Sequence, residues 1–262
     1  MDEMKAGTLS RRAFVGALTT MPLAASSGWC AKDDVRIAFV GDSLSDGMWG
    51  GATRLVSQEA CLGQRVKLGR FAENGTGLTR PAKYDWVAEG KTVVAKFKPN
   101  LSIVSLGLND RQSIVDNSRA RFDLGTPGWR TRYLELSQAL VRNLEAADAG
   151  VLWIGLPILR DKPAQDDAAE KNAIFADAIR QMGDPKVRFV EPWRQNPTGP
   201  DAFQPYGHDL RGAEVQIRAT DGIHFTAAGY DVLAAHLFRQ VAGFMTERGL
   251  EMSYPCQQQA QR

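Results

Sequence analysis

The sequence predicts an α/β fold: a three-layer α/β/α sandwich around a central, mostly parallel five-stranded sheet of the flavodoxin-like kind. Two patterns predict it. Short apolar runs alternate with longer amphipathic stretches, the order produced when crossover helices join parallel strands. The short runs are also continuously apolar, which marks strands buried on both faces and a sheet covered by helices on each side.

The strand candidates are residues 35–40, 66–72, 101–106, 151–156 and 187–190. Between the third and fourth, Pro127-Gly128 precede a helix whose apolar face is Trp129, Tyr133, Leu136, Leu140 and Leu144, recurring at steps of three and four. Tyr230, Leu233, Leu237, Val241 and Phe244 form a second stripe of the same period near the C-terminus. Such stripes are core rather than ligand surfaces. From 193 to 220 the rhythm stops: Pro197, Pro200, Pro205 and several glycines without helical period predict a long surface excursion.

Ahead of the first strand, Ser10-Arg11-Arg12-Ala13-Phe14 leads into a moderately apolar run and then small residues. That order is a twin-arginine export signal. Its apolar part, about eleven residues, is too short to cross a hydrocarbon core of about 30 Å, so no permanent membrane anchor is expected. The expected organisation is a signal peptide over 1–30, one domain over 31–250 and a polar, Gln-rich tail over 251–262. The expected location is periplasmic or secreted, with the twin-arginine machinery as an export partner. Cleavage would leave Cys30, Cys61 and Cys256, an odd number in an oxidising compartment, and the spacing does not choose which two would pair.

With 44% hydrophobic residues, 24% charged residues and a net charge of +2, acidic and basic side chains are mixed along the chain. There is no basic footprint of a nucleic-acid binder. Metal-ligand spacings are missing too: the sequence has no Cys-x-x-Cys, no His-Glu-x-x-His and no acidic calcium loop, so neither metal nor cofactor is expected. Two nucleotide-like strings fail on inspection. Glu89-Gly90-Lys91-Thr92 has Asp85 where the leading glycine of a phosphate loop belongs, and Gly75-x-Gly77 has Arg80 where a dinucleotide fingerprint needs its third glycine. No Gly-x-Ser-x-Gly elbow occurs.

Open parallel sheets bind ligands at the carboxyl ends of their strands. Those ends read Gly41-Asp42-Ser43-Leu44-Ser45, Asn74-Gly75-Thr76-Gly77-Leu78 and Gly107-Leu108-Asn109-Asp110, and Asp221-Gly222-Ile223-His224 follows far downstream. In this order the four blocks resemble the GDSL/SGNH hydrolase superfamily. The longer strings 41–49, 76–81, 107–112 and 218–226 look like exported bacterial SGNH proteins grouped under a domain of unknown function.

The chemistry follows from the residue types. A serine hydroxyl is a poor nucleophile until a base removes its proton, so Ser43 needs His224 within hydrogen-bond reach and Asp221 to orient the imidazole. A turn places residues three apart on one side. The oxyanion then needs preorganised donors, for which the N–H groups of Ser43 and Gly77 and the amide of Asn109 are candidates. The resemblance favours Gly77, which follows Thr76, over Gly75. A glycine there lets the main chain approach substrate and adopt positive φ. Asp42, Arg80, Arg111 and Arg218 are candidates for substrate binding, the arginines through bidentate contacts to carboxylate or phosphate. Trp49 either stacks on a sugar or packs internally. The expected activity is serine-esterase chemistry on acyl esters of envelope carbohydrate or on small acyl esters. Acyl transfer and non-catalytic glycan binding are the alternatives.

Overall fold

The computed structural model describes residues 34–63, 65–194, 202–250, 252 and 254. The expected leader, Cys30, Cys256 and most of the polar tail lie outside these residues. Five strands form one sheet: β1 (Val35–Gly41), β2 (Val66–Ala72), β3 (Leu101–Ser105), β6 (Gly150–Ile154) and β7 (Val187–Val190), in the order β2-β1-β3-β6-β7. Every pairing is parallel, so the expected mostly parallel sheet is wholly parallel. The central strands β3 and β6 are buried at every residue, whereas the edge strands β2 and β7 keep partly exposed positions.

Two helical layers cover this sheet. On one face lie α1 (Ser43–Gln58) and α6 (Ala227–Glu247), packed over Ile37, Phe39, Leu101, Ile103 and Leu152. On the other lie α3 (Trp86–Phe97), α4 (Pro127–Leu144) and α5 (Lys162–Met182), over Ala38, Val40, Val104, Val151 and Trp153. A short helix, α2 (Ala60–Gly63), precedes β2. The alternation of these two residue sets along β1 is the period of two that points successive side chains to opposite faces.

Capping residues set where the helices begin. Asp42, Asp85, Thr126, Asp161 and Thr226 each accept a backbone N–H of the first turn of α1, α3, α4, α5 and α6. That satisfies donors which a helix N-terminus otherwise leaves unpaired. The stripes predicted on α4 and α6 are buried as expected. Trp49 packs against the α1/α6 core, which favours its internal role.

Two antiparallel hairpins were not foreseen. β4 (Ile114–Val115) pairs with β5 (Arg121–Phe122), and β8 (Tyr206–His208) pairs with β9 (Glu214–Gln216) inside the expected surface excursion. Within that excursion, 195–201 lie outside the described residues. Among the described residues no helix is long and apolar enough to cross a membrane.

Candidate active site

Chain order reverses direction across the sheet at β1, with β2 on one side and β3 on the other. Such a switch point opens a crevice at the strand carboxyl ends. Ser43 occupies it as the first residue of α1, directly after β1. Its Oγ lies 2.7 Å from His224 Nε2. His224 Nδ1 lies 2.7 Å from Asp221 Oδ2. The expected relay therefore closes in three dimensions, although its members are up to 181 positions apart.

The acid and base sit on a tight turn closed by the Arg218–Phe225 bridge, just before the start of α6. Asp221 Oδ1 accepts the N–H groups of Ile223 at 2.8 Å and His224 at 3.0 Å, while Oδ2 faces the imidazole. Partial burial pushes this carboxyl up. The hydrogen bonds from the His224 ring and from the Ile223 and His224 N–H groups outweigh it and hold Asp221 at about 2. An ionised orienting carboxylate at neutral pH is what the imidazole requires.

Arg218 locks the same turn from behind. It is only 5% exposed, and it donates to the carbonyls of Ile158 at 2.8 Å, Ile223 at 2.8 Å and His224 at 3.4 Å. Its guanidinium carbon lies 4.3 Å from the Phe225 ring centre and 4.7 Å from that of Phe203. Burial lowers its pKa to about 10, so it remains a cation at neutral pH. Arg218 is thus corrected from a candidate anion clamp to a positioning residue, because its donors are committed to main-chain carbonyls. Arg160 adds a second tie, donating to Thr220 O at 2.7 Å.

Asn109 Nδ2 donates to Thr76 O at 2.9 Å and, more weakly, to Asp42 Oδ2 at 3.4 Å, which brings the blocks after β1, β2 and β3 together. Glycine at position 77 has a different reason from the one expected. Its φ is not positive, whereas Gly75 has φ +72°. A Cβ on Gly77 would sit 2.2 Å from Asp110 Oδ1. Asp110, fully buried, accepts the N–H groups of Leu78 and Thr79 at 3.0 Å each, the Thr79 hydroxyl at 2.6 Å and the Tyr133 hydroxyl at 2.7 Å. Its carboxylate shapes the Gly77 loop from beneath. Sequence reasoning assigned Asp110 no role; its pairing with the N–H groups of Leu78 and Thr79 is visible only in three dimensions.

Asp42 is also fully buried, so it does not face substrate, and its candidate binding role is corrected to that of helix cap and partner of Asn109. Burial, opposed by the Leu44 N–H and reinforced by the nearby Asp110 charge, pushes its pKa up to about 7. A carboxyl raised in this way is neutral below that pH and there opposes negative charge developing beside it less than an ordinary carboxylate would. The native state holds this proton to higher pH than the unfolded chain, whose carboxyl titrates near 3.8. The contribution of Asp42 to stability therefore falls as pH rises from about 4 to about 7, by about 4 kcal/mol. Wild type is expected to lose thermal stability across that window while Asp42→Asn, which retains a capping oxygen, loses less. Equal losses in the melting temperatures of both would contradict the assignment.

The remaining arginines lie at the rim. Arg80 is exposed. Arg111 Nε lies 3.3 Å from Asp167 of α5, which also pairs with the buried Lys171. An anion drawn to Arg111 would compete with that carboxylate.

The family described as protein of unknown function (DUF459) matches residues 36–240. No curated protein matches the chain. Among solved structures, TesA superposes with a TM-score of 0.53 at 18% identity, over 80% of this chain and 99% of that one. The acetyl xylan esterase AlAXEase gives 0.52 at 17%, over 79% and 100%. A carbohydrate esterase family 3 protein from Talaromyces cellulolyticus gives 0.54 at 12%, over 81% and 99%. At these identities the likeness is one of fold.

Proposed function

The chain belongs to the DUF459 family, and we propose that it is a serine esterase working through an acyl-serine intermediate on short O-acyl groups, acetyl foremost, of cell-envelope carbohydrate. The single observation that carries this reading is the continuous chain Ser43 Oγ, His224 Nε2, His224 Nδ1, Asp221 Oδ2 with 2.7 Å at each contact. A protein that only held a glycan would have no use for a base aligned on a hydroxyl and backed by an ionised acid. The esterases among its structural neighbours support the same chemistry.

In the first half-reaction His224 Nε2 takes the Ser43 proton as Oγ attacks the ester carbonyl. Asp221 holds the Nδ1–H and stabilises the imidazolium. The negative oxygen is received by the Ser43 N–H, at the positive end of α1, by the Gly77 N–H and by Asn109 Nδ2. Asn109 keeps its shorter bond to Thr76 O and exchanges its longer one to Asp42 for the oxyanion. The imidazolium then protonates the departing alcohol, and water, activated by the same nitrogen, releases the acid from Ser43. Residues 1–30 support export by the twin-arginine route, which would bring the enzyme to envelope glycans.

The test is time-resolved product analysis with an O-acetylated oligosaccharide, with and without a non-acetylated acceptor glycan. Acetate release unaffected by acceptor is expected. Acetyl transfer to the acceptor in place of acetate would instead make the protein a transferase, and binding of the oligosaccharide without either product would overturn the catalytic reading.

A further inference from the structure

Arg111 stands at the rim of the crevice, two residues past Asn109. Two residues span at most about 7 Å of chain, so its long side chain has the space beside Asn109 within reach. Other arginines of this molecule spend their donors internally: Arg70 grips Asp46 through two nitrogens, and Arg218 donates to main-chain carbonyls. Arg111 does neither. Among the described residues its side chain makes no hydrogen bond; Nε lies 3.3 Å from Asp167 Oδ2 in a loose ion pair, and 46% of the side chain is exposed.

The carboxylate that competes for Arg111 is itself held by a second cation. Asp167 Oδ2 also accepts from Nζ of Lys171, one turn further along α5 and only 1% exposed. Burial lowers the Lys171 pKa, and the carboxylates of Asp167 and Asp110 work against that. A buried ammonium group is costly unless it is paired. Asp167 therefore belongs first to Lys171, which has no water to turn to, and second to Arg111, which has. One carboxylate serves two cations, and the exposed one keeps positive charge at the rim. Arg80, exposed and three residues past Gly77, has no hydrogen-bond or ion-pair partner for its side chain among the described residues. It adds a further positive charge from the loop after β2.

We propose that Arg111, kept short of a counter-ion by Lys171, forms an anion subsite of this crevice, with Arg80 adding to its field. The preferred substrates are then acyl esters of acidic glycans, with a carboxylate or phosphate on the sugar that bears the acyl group or on its neighbour. A planar guanidinium receives either anion through two parallel N–H donors. The inference rests on the esterase reading and deepens it by naming the charge of the substrate and the residue that recognises it.

The experiment compares kcat/KM for methyl glycosides acetylated at the same hydroxyl: a neutral glucoside, a glucuronide and a phosphorylated glucoside. Covalent labelling of Ser43 by a fluorophosphonate is measured in parallel. Wild type is expected to prefer at least one acidic ester to the neutral one by about 10-fold, the scale of one charge-assisted hydrogen bond. High salt should narrow that preference, and the two acidic arms tell carboxylate from phosphate. Arg111→Gln is expected to remove most of the preference, whereas Asp167→Asn, which takes away the competing charge, is expected to increase it. If Asp167→Asn does not fold, Arg111→Gln decides alone. An acidic preference that survives Arg111→Gln overturns the subsite, as does a smaller preference in folded Asp167→Asn. Equal rates on all the esters, with normal labelling, overturn the subsite and leave the esterase standing. Absence of labelling in folded wild type overturns the esterase reading and the subsite with it.

Discussion

Ser43→Ala is expected to lower kcat/KM for an acyl ester by roughly 10⁵- to 10⁶-fold, the scale on which removal of a nucleophile disables a serine hydrolase. The change deletes one hydroxyl whose hydrogen bond is to His224. It leaves the Asp42 cap, the β1 register and the α1 core contacts in place. Stability should therefore move by no more than about 0.5 kcal/mol. Melting temperature and turnover measured on the same preparation check both halves. A variant that unfolds together with its loss of activity would mark Ser43 as structural.

The second large effect is expected at Gly47, where the two halves of the site are held together by packing. A Cβ there would lie 1.9 Å from Tyr230 Cζ and 2.3 and 2.4 Å from Cε2 and Cε1, an overlap no side chain tolerates. Gly51, one turn later, has the Tyr230 carbonyl oxygen where its own Cβ would be, at 2.3 Å. Tyr230 is thus a knob from the first turn of α6 seated against two glycines of α1. Ser43 begins α1, and His224 lies three residues before α6. The seating of this knob fixes the spacing of nucleophile and base.

Gly47→Ala must push the helices apart or force the buried ring out. Either movement lengthens the 2.7 Å contact between Ser43 and His224. Overpacking of this kind costs about 1–3 kcal/mol of stability, and a misplacement of about 1 Å costs about 100-fold in rate. Turnover should fall by that factor, with Ser43 labelling slowed in parallel, at temperatures where the variant is still folded. Wild-type turnover in Gly47→Ala would show that the two helices do not set the triad.

The strands were legible because burial on both faces leaves continuous apolar runs, and the residues ending those runs marked the site. The stripes on α4 and α6 were legible because one buried face imposes a 3.6-residue period. The hairpins β4–β5 and β8–β9 were not, since their strands are two or three residues long and mostly exposed or half-exposed, too short for any period. Arg218 misled for a related reason. Its partners are main-chain carbonyls, which every residue possesses and no motif announces. Positive φ was expected of Gly77, but what forbids a side chain there is the carboxylate of Asp110, on a different loop. Tyr230 read as core and is core, yet its seat on Gly47 leaves no trace in the sequence.

The central claim is that loops following three strands and the turn before the last helix converge on one reacting centre. A crystal structure of the enzyme inhibited by a fluorophosphonate tests it most directly. The account predicts phosphorus bonded to Ser43 Oγ, with the phosphonyl oxygen about 3 Å from the N–H groups of Ser43 and Gly77 and from Asn109 Nδ2. Phosphorus on another residue, or an imidazole of His224 turned away from the adduct, would contradict it.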